Sequence, residues 1–149
     1  MRHSMRHPKR LATALALATL TATPALAETH LVQMLNRDAA GNMMVFEPAY
    51  LEIAPGDSVT FVPTERSHNA ESMDDMLPQG AKGWTGKRDE EITVSFDVPG
   101  YYGYKCKPHE AMGMVGLIRV GDPETLPEVG KLRGKGDDRM QELLAQAGA

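Results

Sequence analysis

Ile92-Thr93-Val94-Ser95-Phe96-Asp97-Val98-Pro99-Gly100-Tyr101-Tyr102-Gly103-Tyr104-Lys105-Cys106 is the stretch that decides the fold. Its first five residues alternate apolar and polar side chains, the period of a half-buried strand. Pro99-Gly100 then breaks the run, and a second extended piece rich in tyrosine leads into the cysteine. Working outward, the same grammar repeats. Residues 29–35 alternate loosely. Residues 43–46 and 49–53 are short extended pieces on either side of Pro48. Pro55-Gly56-Asp57 is a turn, and Ser58-Val59-Thr60-Phe61-Val62 alternates cleanly. Residues 66–79 are polar and irregular and are expected as a long connection. Residues 115–120 are again strand-like. Short strands separated by Pro-Gly turns predict a mainly β domain, a sandwich or barrel.

The ends of the chain depart from this pattern. Residues 1–10 carry Arg2, Arg6, Lys9 and Arg10 and no acid. A small-apolar run follows and ends in Pro24-Ala25-Leu26-Ala27. A basic start, an apolar middle and an A-x-A end describe a secretory signal peptide over residues 1–27, cleaved after Ala27. The run is short and broken for a membrane anchor, so no membrane association is expected once it is removed. The remaining residues 28–149 are one domain, expected as a monomer. In the tail, from about residue 123, Thr125-Leu126-Pro127-Glu128 has capping-box spacing with proline in the first turn. Asp137 or Asp138 can cap a second helix whose Met140, Leu143, Leu144 and Ala147 recur at helical spacing. Two short helices packed on the sandwich are therefore expected.

Charge excludes one class of partner. All 20 acidic residues but only 12 of the 16 Lys and Arg lie beyond residue 27, so the domain carries a net charge of −8. Nucleic acid is a poor partner for such a surface. Cysteine usage narrows the chemistry further. Cys106 is the chain's single cysteine, and a lone thiol in an exported protein is a liability unless something occupies it.

The segment Cys106-Lys107-Pro108-His109-Glu110-Ala111-Met112-Gly113-Met114 supplies a thiolate, an imidazole and two thioethers within nine residues, and His68 beside Asn69 offers a second imidazole. Two imidazoles and a thiolate in a plane, with a weak axial thioether, make the electron-transfer geometry of copper. Cu(I) favours soft sulfur and Cu(II) accepts imidazole nitrogen, so a site offering both changes oxidation state with little movement. A Cys-x2-His pair alone is a weak signal, compatible with zinc or with a Cys–His nucleophile. It gains weight from the methionines, the upstream His-Asn, the β framework and the leader. His30, in an edge-like strand, is expected to be no ligand, and Trp84 is assigned no function. Spacing leaves the axial residue open between Met112 and Met114.

The sequence resembles the pseudoazurins, bacterial periplasmic cupredoxins. The likeness runs through Met44-Val45-Phe46-Glu47-Pro48, Pro55-Gly56-Asp57, His68-Asn69-Ala70-Glu71-Ser72 and the segment from Cys106 to Met114, and it covers nearly all of the chain beyond residue 27. It implies a cupredoxin-like Greek-key sandwich with one type 1 copper ion held by His68, Cys106, His109 and Met114. Met112 becomes a wall residue; the shorter spacing resembles amicyanin. The resemblance also implies that Asn69 ties the two ligand loops near the Cys106 sulfur, that Pro108 removes a backbone N–H close to that sulfur, and that Met44 lies near the His109 ring. The function implied is single-electron transport in the periplasm with no catalysis. The implied partners are a denitrification reductase such as copper nitrite reductase and, as donors, c-type cytochromes. They would dock at the His109 face, with Lys105, Lys107 and Arg66 as a basic rim. The rival readings are a periplasmic copper carrier or storage protein and an enzyme using a Cys106–His109 pair.

Overall fold

The computed structural model of the chain describes residues 26–149. The signal-peptide expectation over residues 1–27 therefore lies, but for Leu26 and Ala27, outside the described residues. Eight strands form two four-stranded sheets: β1 Thr29–Arg37, β2 Met43–Glu47, β3 Tyr50–Ile53, β4 Ser58–Val62, β5 Glu71–Ser72, β6 Ile92–Ser95, β7 Gly100–Lys105 and β8 Val115–Val120. One sheet runs β2-β1-β4-β6 and the other β3-β8-β7-β5. The pairs β1/β4 and β3/β8 are parallel and the other named pairs antiparallel. Consecutive strands repeatedly change sheet, as β6 and β7 do at Pro99-Gly100, so the expected Greek-key sandwich is the architecture found.

The two sheets differ in how they are covered. Sheet β2-β1-β4-β6 buries one face: Val32 and Met34 of β1, Phe46 of β2, and Val59 and Phe61 of β4 point inward. Its other face carries Ser58–Ser95 and Thr60–Thr93 hydroxyl pairs toward solvent. This is the alternation of a sheet with one wet side. Sheet β3-β8-β7-β5 is buried on both faces. Tyr102, Tyr104, Ile118 and Val120 join the sandwich core, while their neighbours Tyr101, Val115 and Leu117 enter a second cluster with Met73, Met76 and the α1 residues Met140, Leu143 and Leu144. That double burial is why β7 and β8 read as nearly continuous apolar runs. Gly116 is required here: a Cβ on it would lie 2.1 Å from the Tyr104 ring, which fills the sandwich core. Trp84 stacks on Phe61 (5.7 Å between ring centroids) and meets Phe96 edge-on, the packing role that sequence allowed it.

The irregular connection over residues 66–79 contains two short elements, β5 and a 3-10 turn at Asp74–Met76, each pinned by burial of Met73 and Met76. The tail corrects the expectation of two helices. One helix forms, α1 Lys135–Ala147, and its Met140, Leu143 and Leu144 are buried as their spacing predicts. Asp137 and Asp138 lie in its first turn, where they favour the helix dipole, and Gly134 rather than either aspartate occupies the cap position. Residues 125–128 are not helical. Pro123, Pro127 and Gly130 leave too few consecutive residues to repay nucleation of a helix. The segment is held extended instead: the Lys131 N–H donates to Asp75 at 2.7 Å, the Arg133 N–H donates to Glu110 at 3.0 Å, and Val129 and Leu132 pack on the second cluster.

Candidate metal centre

Cys106 follows β7 and Met114 precedes β8, so the β7/β8 ladder brackets the loop between them. The Cys106 N–H donates to the Met114 carbonyl at 3.0 Å and continues that ladder by one rung. Inside the loop the His109 N–H donates to the Cys106 carbonyl at 3.1 Å, and the Met112 and Met114 N–H groups donate to the His109 carbonyl at 3.0 and 3.2 Å. A 3-10 turn at Glu110–Met112 ends on Gly113, whose φ of +96° only glycine adopts without strain. This backbone network aims the thiol and the His109 imidazole at one point.

His68 arrives from the β4–β5 connection and is fully buried. Its Nε2–H donates to Asn36 Oδ1 at 2.9 Å, which leaves Nδ1 with a free lone pair facing the centre. Its carbonyl accepts from the Asp89 N–H at 2.7 Å. Asn36 is held in turn, its own N–H donating to the Glu65 carboxylate.

The three donor atoms form a triangle. His68 Nδ1 and His109 Nδ1 are 3.1 Å apart, and Cys106 Sγ lies 3.8 and 3.5 Å from them. A point equidistant from atoms so spaced lies about 2.0 Å from each, and on the zinc scale metal–imidazole bonds are about 2.0–2.1 Å and metal–thiolate bonds about 2.3 Å. Three lone-pair donors converging at this spacing suit one metal ion. Proton chemistry agrees. Burial, then the neighbouring His109, holds His68 below the ordinary histidine range, and burial, then Arg88, does the same to His109, so both rings are neutral and able to ligate. Burial pushes the Cys106 thiol up, against the backbone N–H groups of Asn69 and His109. A metal cation bound by the three donors would favour the thiolate and displace that proton.

The softness of the set selects the metal. The three residues supply one sulfur and two nitrogens, and Met114, 0% exposed, belongs to the same core cluster as Cys106. Met112 is 47% exposed. A nitrogen–thiolate plane with a buried thioether at hand suits copper better than zinc, which takes four strong donors.

The structure distributes the remaining sequence candidates unevenly. Asn69 joins the two ligand segments: its Oδ1 accepts from the Lys107 N–H at 2.8 Å, and its amide donates to the Gly86 carbonyl and to Glu71. Toward the sulfur, Asn69 offers its backbone rather than its side chain. Pro108 is exposed beside the half-buried His109, and Met44 on β2 packs partly buried against the sandwich core. His30 donates to the buried Asp57 at 2.9 Å and is not among the three residues whose donor atoms converge. Lys105 departs from the expected basic rim: its ammonium turns inward and binds Glu110 at 3.2 Å. Lys107, Arg66 and Arg88 stay exposed. Asn36 and Glu110 were not legible in the sequence, since each acts on partners that only folding brings near.

The family described as copper binding proteins, plastocyanin/azurin family, matches residues 32–121. Pseudoazurin of Paracoccus pantotrophus is 46% identical over 145 residues, covering 95% of this chain and 99% of that protein. Among solved structures, a Sinorhizobium pseudoazurin superposes with a TM-score of 0.79 at 43% identity, over 82% of this chain and 98% of the other. Pseudoazurin of Methylobacterium extorquens AM1 gives 0.74 at 39% identity, over 80% and 98%.

Proposed function

We propose, on the premise that the chain belongs to the plastocyanin/azurin family of copper-binding proteins and sits there among the pseudoazurins, that it shuttles single electrons in the periplasm between a c-type cytochrome and a denitrification reductase. The family makes it a copper electron-transfer protein and not an enzyme. The observation that carries the reading is the triangle of His68, Cys106 and His109 donors around one point. Met114 completes the set as the axial ligand, supported by its full burial beside Cys106, and Met112 serves as a wall.

When bound, copper supplies the one-electron couple between its +1 and +2 states. The chain's residues do the rest. The ladder rung at Cys106 and the Asn36–His68 hydrogen bond hold the donors at nearly fixed spacing, so little rearrangement accompanies a change of charge. Burial of Cys106, His68 and Met114 excludes water. His109 alone is partly exposed and opens the route outward, with the exposed apolar residues Pro108, Ala111 and Met112 next to it in the same loop. An apolar patch with Lys107, Arg88 and Arg66 at its rim suits weak, fast docking onto an acidic partner such as copper nitrite reductase. The leader over residues 1–27 would deliver the domain to the periplasm, where it acts as a monomer. The copper carrier or storage alternative calls for an open, exchangeable site, and the buried ligands speak against it.

Loading with Cu(II) should produce an intense visible thiolate-to-copper band that disappears on reduction and in Cys106→Ala. Weak bands alone would overturn the reading. Stopped-flow transfer to copper nitrite reductase should slow as ionic strength rises; a flat profile would sink the docking proposal.

A further inference from the structure

Glu110 is a carboxylate in an unusual place. It follows His109 directly and is 2% exposed, yet no part of the electron-transfer reading uses it. Its Oε2 accepts from Lys105 Nζ at 3.2 Å, from Arg133 Nη2 at 3.1 Å and from Arg133 Nε at 3.3 Å. Its Oε1 accepts from the Arg133 backbone N–H at 3.0 Å. The hydrogen bonds from Arg133 and Lys105 outweigh burial and keep the carboxyl ionised below the usual range. The backbone is seated as closely. A Cβ on Gly136 would lie 2.8 Å from the Glu110 carbonyl oxygen, and one on Gly134 would lie 2.6 Å from that of Ala111, so the start of α1 rests on the turn after His109.

We propose that Glu110 is a positioning residue for the metal centre: its carboxylate clamps the turn that follows His109 both to Lys105, the last residue of the strand that leads into Cys106, and to the C-terminal segment at Arg133. Lys105 precedes Cys106 and Glu110 follows His109, so the ion pair spans the two ligands and sets their separation. The loop needs such a clamp. Between His109 and Met114 its backbone runs through one 3-10 turn at Glu110–Met112, a geometry that holds poorly by itself. An ionised carboxylate this buried persists only when paired, and its partners come from two separate elements, so the clamp cannot form until the tail has docked. The tail then acts as a brace for the ligand loop as well as a cover for the sheet.

The inference rests on the copper reading, and its test separates the two. Glu110→Gln removes the charge in nearly the same volume. Arg133→Met is the second variant, and it should fold because the Arg133 side chain is 70% exposed. In the copper-free protein, hydrogen exchange at the Met112 and Met114 amides, both bonded to the His109 carbonyl, should accelerate about tenfold in each variant, and no further in the double variant. In the Cu(II) protein the relative intensities of the thiolate bands and the reduction potential should shift, and Arg133→Lys should restore part of the wild-type values. A lowered melting temperature with unchanged exchange, bands and potential would make Glu110 a fold anchor only and overturn the proposal. Additive acceleration in the double variant would also overturn it. Absence of an intense band in the wild-type protein would refute the copper reading while leaving the exchange measurement to decide the clamp.

Discussion

The two segments that build the centre are held by different means. Residues 106–114 carry three of the four proposed ligands, and their backbone bonds mostly run within the loop: Cys106 to Met114, His109 to Cys106, Met112 and Met114 to His109. His68 comes from 38 residues away, and what holds it is remote in sequence: Asn36 on β1 behind the ring, Asp89 on its carbonyl, and Asn69 next to it reaching Lys107. A loop of local bonds can form its shape early and at small entropic cost, whereas a remote ligand is placed only after both sheets have met. The centre therefore joins a half shaped mostly by local bonds, with Glu110 bracing it against Lys105 and Arg133, to a half that the fold must deliver.

That contrast can be broken first at Asn36. Asn36→Ala leaves the His68 Nε2–H buried without an acceptor and frees the ring to turn. Copper affinity should fall about 10–100-fold by competition with a chelator, while the bonds of the 106–114 loop persist in hydrogen exchange. Unchanged affinity would mean that packing alone orients His68. A smaller effect is expected at the seam. Asn69→Ala strips the Lys107 N–H of its acceptor and should lower stability by about 1–3 kcal/mol in urea unfolding of the copper-free protein.

Acid provides a third probe. Both imidazoles have folded-state values below the ordinary histidine value of 6.5, so the unfolded chain binds protons first. The copper-free domain should therefore keep full stability above about pH 6.5 and lose it progressively as pH falls below that point toward the folded values. His68→Leu should flatten the urea-midpoint profile between pH 7.5 and 5. An equally steep profile would place the proton uptake elsewhere. The smallest effect is expected inside the loop, at the exposed thioether. Met112→Leu should change stability by less than about 1.5 kcal/mol and leave the charge-transfer bands in place. Met114→Leu, which removes the buried sulfur, should alter the bands. Bands that move with Met112 and not with Met114 would reverse the axial assignment.

Much of the molecule was legible before folding was considered. Period-two alternation places Val59 and Phe61 of β4 on the inward face, and the turn at Pro55-Gly56-Asp57 bounds that strand where it begins. The tail shows where such reading stops. Thr125-Leu126-Pro127-Glu128 has the local signature of a helix start, yet the chain there is drawn out by Asp75, Glu110 and the second core cluster, none of which a short window contains. Lys105 fails for the same reason: it reads as a solvated rim cation until the fold brings the buried Glu110 carboxylate against it.

The amino-acid order by itself determined the donor types, every strand except β5, and the nine-residue loop, because side-chain chemistry, period-two patterning and short-range hydrogen bonds all act between near neighbours. Only the tertiary structure decided that His68 meets Cys106 and His109 at the spacing of one metal ion, that Met114 is buried and Met112 is not, and that a carboxylate beside His109 is locked to the tail. Those outcomes depend on which faces two sheets and a helix bury against each other, and burial is a property of the packed whole.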